Sequence, residues 1–514
     1  MNAATLTSLL IYFVAMIGIG LYAWRKSTSD SEGYLLAGRS LSPSVAALSA
    51  GASDMSGWLL IGLPGALYAA GLVEAWIGIG LFAGAVANWI IVAPRLREQT
   101  ERFGNALTIP QFLANRFPDE GAVLRVVSAI VIVAFFTVYT ASGLVAGGKL
   151  FATAFAGMLP GLGLSDYMAG VVITALVVLA YTMVGGFLAV SLTDFVQGLI
   201  MMLALIVMPL VVLFGTGGGA GASLSAVPVD GFLSLTNGLT LIGFISAVTW
   251  GLGYFGQPHI IVRFMAIDTV EKVARARTIG LSWMGIALVG AIGVGIAGRA
   301  YAERNGIVLE DAETIFIVLA DLLFHPVITG FLYAALLAAV MSTISSQLLV
   351  SSSSLTEDFY RLFLRKHASE REAVNVGRVC VALVAALAMV LASDPDSQVL
   401  GLVSNAWAGF GAAFGPLIVL TLTWNGITGK GAVAGLVTGA AVVGLWVLYP
   451  FAPGSAMFDW IVSAGGLNAA DYAEGGVTLS AWLYEMVPGF AAAIVAIVAV
   501  SLATAPRAVA QPAQ

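Results

Sequence analysis

Cysteine is almost missing from this sequence. Cys380 is the only one in 514 residues, so no intrachain disulfide framework can exist, and its apolar surroundings make it a small hydrophobe. Charge is scarce as well: 10% of residues are Asp, Glu, Lys or Arg, where a soluble domain carries roughly a quarter. The balance of 22 basic to 28 acidic residues contains no basic block, which excludes nucleic acid as a partner. Histidine is limited to His259, His325 and His367, none with a mate three or four residues away. No HExxH, Walker or CxxC spacing occurs, so neither enzymatic nor catalytic-metal chemistry is supported. His259, directly after the glycine- and proline-rich stretch 251–258, is expected to face a loop. All polar stretches are short, leaving no room for a kinase, sensor or nucleotide-binding module, and no obligate protein partner is evident.

What is present is hydrocarbon. Hydrophobic residues make up 59% of the chain and the mean hydropathy is +0.97, so it reads as an all-α integral membrane protein whose first partner is the lipid bilayer. Its 60 glycines are spread through the apolar runs, as expected where helices pack closely without a hydrophobic force between them. Segments long enough to span a bilayer recur at 5–24, 43–71, 75–93, 122–148, 168–189, 192–214, 237–258, 279–298, 326–350, 376–392, 399–424, 431–450 and 481–503. That predicts about thirteen transmembrane helices in one domain, 1–503, with a short cytoplasmic tail at 504–514. The first segment lacks a basic stretch before it and a small-residue cleavage pattern after it, and is expected to be retained. Alternating the connections puts nineteen Lys and Arg on one side and only Lys149, Arg299 and Arg304 on the other. By the positive-inside rule the N-terminus lies outside and the C-terminus in the cytoplasm. The Gly-rich stretch 215–230 and the stretch 451–479 are read as external loops.

Two segments are poor helices. The second holds Ser49, Gly51, Ser53, Asp54, Ser56, Gly57, Gly62, Pro64 and Gly65, and the seventh holds Gly251, Gly253, Gly256 and Pro258. A broken span frees backbone groups that hydrocarbon cannot satisfy, so such breaks persist where they line a cavity or site. The second lies five positions along from the first, the interval an inverted repeat of five plus five helices requires, and paired interruptions of this kind point to a transporter's binding site. Packing glycines are the plainer alternative.

Asp54 lies mid-span, at a cost of roughly 2.5 to 3.5 kcal/mol on an insertion scale, which suggests either a functional charge or a cap on a half-helix. Asp194 is similar but near enough to a span end to reach the interface. In the ninth segment Ser342, Thr343, Ser345 and Ser346 sit within about a turn. Their hydroxyls, with carbonyls loosened by the second-segment break, offer the oxygen shell a hard cation such as sodium prefers, although such hydroxyls also bond back to their own helix. Around the other break Trp250 and Tyr254, four apart, are expected to share a helix face. With Gln257 and Pro258 they would wall a pocket for a small solute with an apolar body and polar ends; interfacial anchoring is the alternative. Tyr139 is a further candidate wall.

At these same residues the sequence resembles the sodium/solute symporter family, and within it the branch that carries proline. The matching strings are LAGRSLSP at 36–43, SAGASDMSGWLLIGLPGA at 49–66, FFTVYTASGLVAG at 135–147, GGFLAVSLTD at 185–194, WGLGYFGQPHIIVRFMA at 250–266, LAAVMSTISSQLLV at 337–350, FLRKHAS at 363–369 and LGLVSNAWAGFGAAFGP at 400–416. The resemblance implies the leucine-transporter type of fold: repeats at about 43–214 and 237–424, one helix before them and two after, at about 431–503. It implies sodium-coupled symport of L-proline across a bacterial cytoplasmic membrane, with sodium as the co-transported ion. It places sodium ligands at the carbonyls of Ala52, Met55 and Ala339 and the hydroxyls of Ser342 and Thr343. Asp54, Asp194 and Arg39 would serve coupling, while Ser56, Gly57, Trp250, Tyr254 and Pro258, with Tyr139, would face the solute; Gln257 joins them only by its place beside the second break. Two positions depart from the pattern expected of proline carriers: Thr249 stands where glycine is expected and Ser346 where cysteine is familiar.

Overall fold

Helix starts are written into the sequence as hydroxyls followed by apolar runs. Ser42, Thr108, Ser165, Thr240, Ser369 and Thr428 each accept a hydrogen bond from a backbone amide of the first turn. Proline occupies the first turn of the helices Pro43–Asp54, Pro258–Ala266 and Pro326–Ser353, where its missing N–H costs nothing. The computed structural model describes residues 3–26, 31–157, 163–215, 224, 227, 229–472 and 475–505. Most of the loop 215–230 and nearly all of the tail 504–514 therefore lie outside the described residues.

Among the described residues the chain is helical, with only two isolated β-bridges, and ten helices are long and apolar enough to cross a membrane. Three shorter apolar helices accompany them, Trp58–Ala70, Asp166–Ala180 and Leu241–Gly256. Two of these three belong to the segments read as broken, which explains why length alone does not count them. Pro326–Leu364 and Val399–Thr423 are the most deeply enclosed spans, while the first helix, Ala3–Lys26, and the last two, Gly429–Leu448 and Met486–Thr504, show wide outer faces.

Several boundaries differ from the expectation. The segments 168–189 and 192–214 are parts of one long run, Asp166–Leu210, interrupted at Gly186 with φ +59°. The break falls there because glycine alone tolerates that conformation without strain, and a Cβ would also lie 2.7 Å from the Tyr34 ring. The ninth segment runs beyond residue 350, through a π-helical stretch, Ser354–Leu364. Part of 451–479 is ordered by a short helix, Ala456–Gly465, and by a bridge between Phe451 and Val477. Cys380 is half-buried on Glu370–Leu391 rather than enclosed.

The two ends of the molecule differ. At one, Leu41 pairs with the chain at Ile267, its amide bonded to the Ala266 carbonyl (3.1 Å) and its carbonyl receiving the Asp268 amide (3.2 Å). Arg97 donates to the Ile267 carbonyl (2.6 Å) and the Asp268 carbonyl (3.1 Å). These bonds tie the start of the first broken helix to the end of the second. At the opposite end a cavity of about 490 Å³ is lined by Val73, Glu74 and Ile77, just past the first broken segment, and by Thr240 to Trp250 of the second.

Candidate functional site

Both interruptions occur where the sequence places them. Pro43–Asp54 ends in an irregular turn at Met55, and the chain resumes at Trp58. Leu241–Thr249 passes into a 3₁₀ turn, Trp250–Gly256, and restarts at Pro258. Glycine is needed in the second break because of close approach. A Cβ at Gly253 would lie 1.9 Å from Trp407 Nε1, and one at Gly251 would lie 2.2 Å from the Gly80 carbonyl oxygen. Packing and breakage are thus one feature.

At the first break the ninth-segment hydroxyls meet the loosened carbonyls. Ser342 Oγ donates to the Ala52 carbonyl (2.7 Å) and Thr343 Oγ1 lies 3.5 Å from it; both hydroxyls are 3.1 Å from the Ala339 carbonyl. Four of the five oxygens expected to hold sodium therefore share one buried locus, and Met55, the fifth residue, is itself buried. The bonding back to Ala339 shows that helix-internal pairing and a shared oxygen cluster coexist. A hydroxyl oxygen that releases its proton from such a carbonyl has lone pairs to give a cation. Among the described residues no cluster of His, Cys, Asp and Glu could hold a metal, so neutral oxygens are the donors at hand.

Asp54 closes the same half-helix. Its Oδ2 accepts a hydrogen bond from the Tyr254 hydroxyl, which links the two breaks directly, while its Oδ1 is buried without a hydrogen-bond partner. The Asp54 carbonyl lies 3.3 Å from both the Tyr139 hydroxyl and Trp58 Nε1. No backbone amide is capped by the carboxylate; Ser56 Oγ takes that part, accepting the Trp58 amide at 3.4 Å. Gly57 leaves room for nothing but its neighbours, a Cβ there lying 2.8 Å from Ala146.

Trp250 and Tyr254 do not share a face. In a 3₁₀ turn residues four apart differ by about 120°, so the α-helical expectation fails. Trp250 turns toward the 490 Å³ cavity and stacks on Tyr484 (centroids 5.3 Å apart), whereas Tyr254 turns inward to Asp54 and meets Trp407 edge-on. Gln257 is buried and donates to the Trp407 carbonyl (3.1 Å). Pro258 lines a second, much smaller cavity of about 20 Å³ toward the arginine-tied end. Of the residues expected around the solute, Trp250 thus stands at the large cavity, Tyr139, Tyr254 and Gln257 are enclosed, and Pro258 lines the small one.

Asp194 and His259 overturn their surface readings. Asp194 is wholly buried and pairs with Arg263 (3.2 Å), accepting also from Ser49 Oγ (2.7 Å). Arg263 donates further to Ser49, Ser346 and the His259 carbonyl. A buried arginine facing a buried aspartate from another apolar run is the signal that could have exposed this pair in the sequence. His259 packs between Phe136 and Tyr139, because the restart at Pro258 points the first turn into the core. Arg39 is buried at the arginine-tied end, where left-handed residues 37–39 turn it inward. It donates to Asn105 Oδ1 (2.8 Å), Thr100 Oγ1 (3.2 Å) and the carbonyls of Met265 and Ala106 (2.8 Å each). Burial lowers its pKa to about 10, which still leaves it charged at neutral pH.

Residues 34–439 match the sequence model of the sodium:solute symporter family. The chain belongs to that family. Among its relatives in the family, the high-affinity proline transporter PutP of Bacillus subtilis is 52% identical over 491 residues, 95% of this chain and 96% of that one. A sodium/proline symporter of Staphylococcus aureus is 46% identical over 506 residues, covering 98% of this chain and 93% of its own. Among solved structures, a sodium-coupled sialic acid symporter in a substrate-bound outward-open state superposes with a TM-score of 0.77 at 17% identity, over 98% of this chain and 99% of that chain. MHP1, a nucleobase-cation-symport-1 family transporter in a closed conformation, gives 0.50 at 13% identity over 93% and 95%. This symporter-family chain therefore shares its fold with cation-coupled carriers, and is a multi-pass membrane protein of a transporter family.

Proposed function

We propose that the protein is a secondary active transporter that carries L-proline into the cell with sodium, both as substrates, by alternating access in a bacterial cytoplasmic membrane. The reading rests on the relatives' names together with one observation: Ser342 and Thr343 reach across to the Ala52 carbonyl at the break in the first half-helix. Sodium seated among the oxygens of Ala52, Met55, Ala339, Ser342 and Thr343 holds that half-helix against the ninth segment. The adjoining turn then carries Asp54 to Tyr254 and fixes the solute pocket, in which Ser56, Gly57, Tyr139, Trp250, Tyr254, Gln257 and Pro258 contribute walls. The ion raises solute affinity only by as much as it favours this arrangement, and the solute raises ion affinity equally.

In the same reading the helices number thirteen, with inverted repeats over 43–214 and 237–424, one helix before and two after. The arginine-tied end faces the cytoplasm, as the charge bias requires, so the N-terminus is outside and the C-terminus inside. The large cavity then opens outward while the bonds of Arg39, Arg97 and Leu41 seal the inside. Turning inward requires those bonds to part and the Trp250 end to close. One positive charge moving through 100 mV supplies about 2.3 kcal/mol. A tenfold sodium gradient adds about 1.4 kcal/mol. At one ion per solute the two together sustain roughly 500-fold accumulation of a zwitterion.

A competition panel against labelled L-proline uptake, in sodium, potassium and acidic sodium-free media, tests this reading. Preferred inhibition by proline with absolute sodium dependence is expected; uptake driven equally by a proton gradient, or blocked better by another small carboxylate, overturns it. Currents beyond carrier turnover would instead indicate a channel.

A further inference from the structure

The run that carries Ser342 and Thr343 continues into the π-helical stretch Ser354–Leu364, where it buries an aspartate. π-Turns are rare and gather at functional sites. Asp358, wholly buried there, accepts a hydrogen bond from Thr108 Oγ1 (3.2 Å). Its other oxygen makes no hydrogen bond and lies 3.3 Å from Arg125 Nε, on the helix Gly121–Ala154. The Arg125 side chain is 20% exposed, so it balances the carboxylate while staying in touch with water. Thr108 in turn fixes a short stretch of chain. Its hydroxyl accepts the Gln111 amide (3.1 Å) and Gln111 Oε1 accepts the Leu107 amide (2.9 Å), a reciprocal cap that stiffens the start of Ile109–Arg116. Just before it, Asn105 and Ala106 accept from Arg39. The stretch 105–110 is therefore pinned from two sides, by Arg39 and by Asp358, and its residues Leu107 to Pro110 wall the small cavity that Pro258 also lines. A carboxylate about 20 Å of helix beyond Thr343 thus grips the wall of that space.

We infer that Asp358 is a positioning residue that couples opening of the arginine-tied end to the sodium site. With sodium seated, the ninth segment is held against the first half-helix and Asp358 keeps Thr108 in place. When sodium leaves, the segment shifts, Asp358 lets go of Thr108, and 105–110 swings away from Pro258 to release the solute. Arg39 ties the same stretch from outside the ninth segment, so it resists opening without sensing the ion. The inference rests on the sodium reading given above, and the coupling is reciprocal: a broken latch also weakens the preference of sodium for the closed state.

Maleimide labelling of single cysteines in the purified full-length protein, in sodium and in choline, tests it. In a Cys380→Ser background, Ser353→Cys reports on the small cavity and Asn405→Cys on the large one. In this parent pair, sodium should slow labelling at Ser353→Cys and speed it at Asn405→Cys. Adding Asp358→Ala or Thr108→Val should abolish the sodium effect, with Ser353→Cys labelled about tenfold faster in sodium than in the parent and Asn405→Cys labelled more slowly. Thr108→Ser, which keeps the hydroxyl, should behave as the parent does. Opposite changes at the two reporters distinguish a released latch from a loosened fold, which exposes both. A sodium response in Asp358→Ala and Thr108→Val equal to the parent's, or faster labelling at both reporters in both variants, overturns the inference. A parent pair that ignores sodium at both reporters is a different result: it counts against the ion site itself and removes the inference with it.

Discussion

Ser342 and Thr343 show how little chemistry an ion site needs: two hydroxyls one residue apart, opposite a carbonyl that a broken helix has set free. Replacing either by Ala removes one oxygen, and a loss of about 1.4 kcal/mol corresponds to a tenfold weaker apparent sodium affinity. Sodium titrations of initial uptake should therefore shift about tenfold in half-saturation with a smaller change in maximal rate; an unmoved titration in both variants refutes the ion site. Trp250→Ala should raise the half-saturation for proline at saturating sodium, and an unaltered value would remove it from the pocket. Asp54→Asn keeps the shape but weakens the acceptor for Tyr254, so uptake should nearly vanish. These residues were legible because polar atoms stand out against apolar runs. The divergence of Trp250 and Tyr254 was not, since spacing reveals direction only once the helix type is known.

Elements are held by a pair no motif announces. Arg263 on the restarted helix Pro258–Ala266 and Asp194 on Asp166–Leu210 meet with both charges out of water. Removing one partner leaves the other uncompensated, at roughly 3 to 5 kcal/mol, whereas removing both can be almost neutral. Arg263→Met should lower the unfolding temperature in detergent clearly more than Arg263→Met with Asp194→Leu; equal losses would show that the pair is not coupled. The breaks at this scale were legible from glycine and proline content. What the glycines do was only half legible, because close approach to Trp407 and Gly80 depends on partners distant in the chain. The interruption at Gly186 was displaced from its expected place for the same reason, Tyr34 being the neighbour that requires glycine there.

At the scale of the whole molecule, one end is tied and the other open. Arg39 spends four bonds on three separate stretches of chain at the tied end. Arg39→Gln should shift the resting population toward opening there. In a Cys380→Ser background, a cysteine introduced by Ser353→Cys, at the small cavity beside Pro258, should be labelled faster by a membrane-impermeant maleimide applied to that end. Identical labelling with and without the Arg39 change would mean that the bonds do not hold the end shut. The membrane class, the paired breaks and the charge bias were open to a reader of the sequence, whereas which end is closed depends on contacts among distant segments and was not. The central claim is coupling, and purified protein in liposomes tests it most directly through uptake of labelled L-proline with an inward sodium gradient, with equal sodium, and with potassium in its place. The account predicts a transient accumulation above equilibrium with the sodium gradient alone; the same equilibrium level in all three conditions, from demonstrably folded protein, would contradict it.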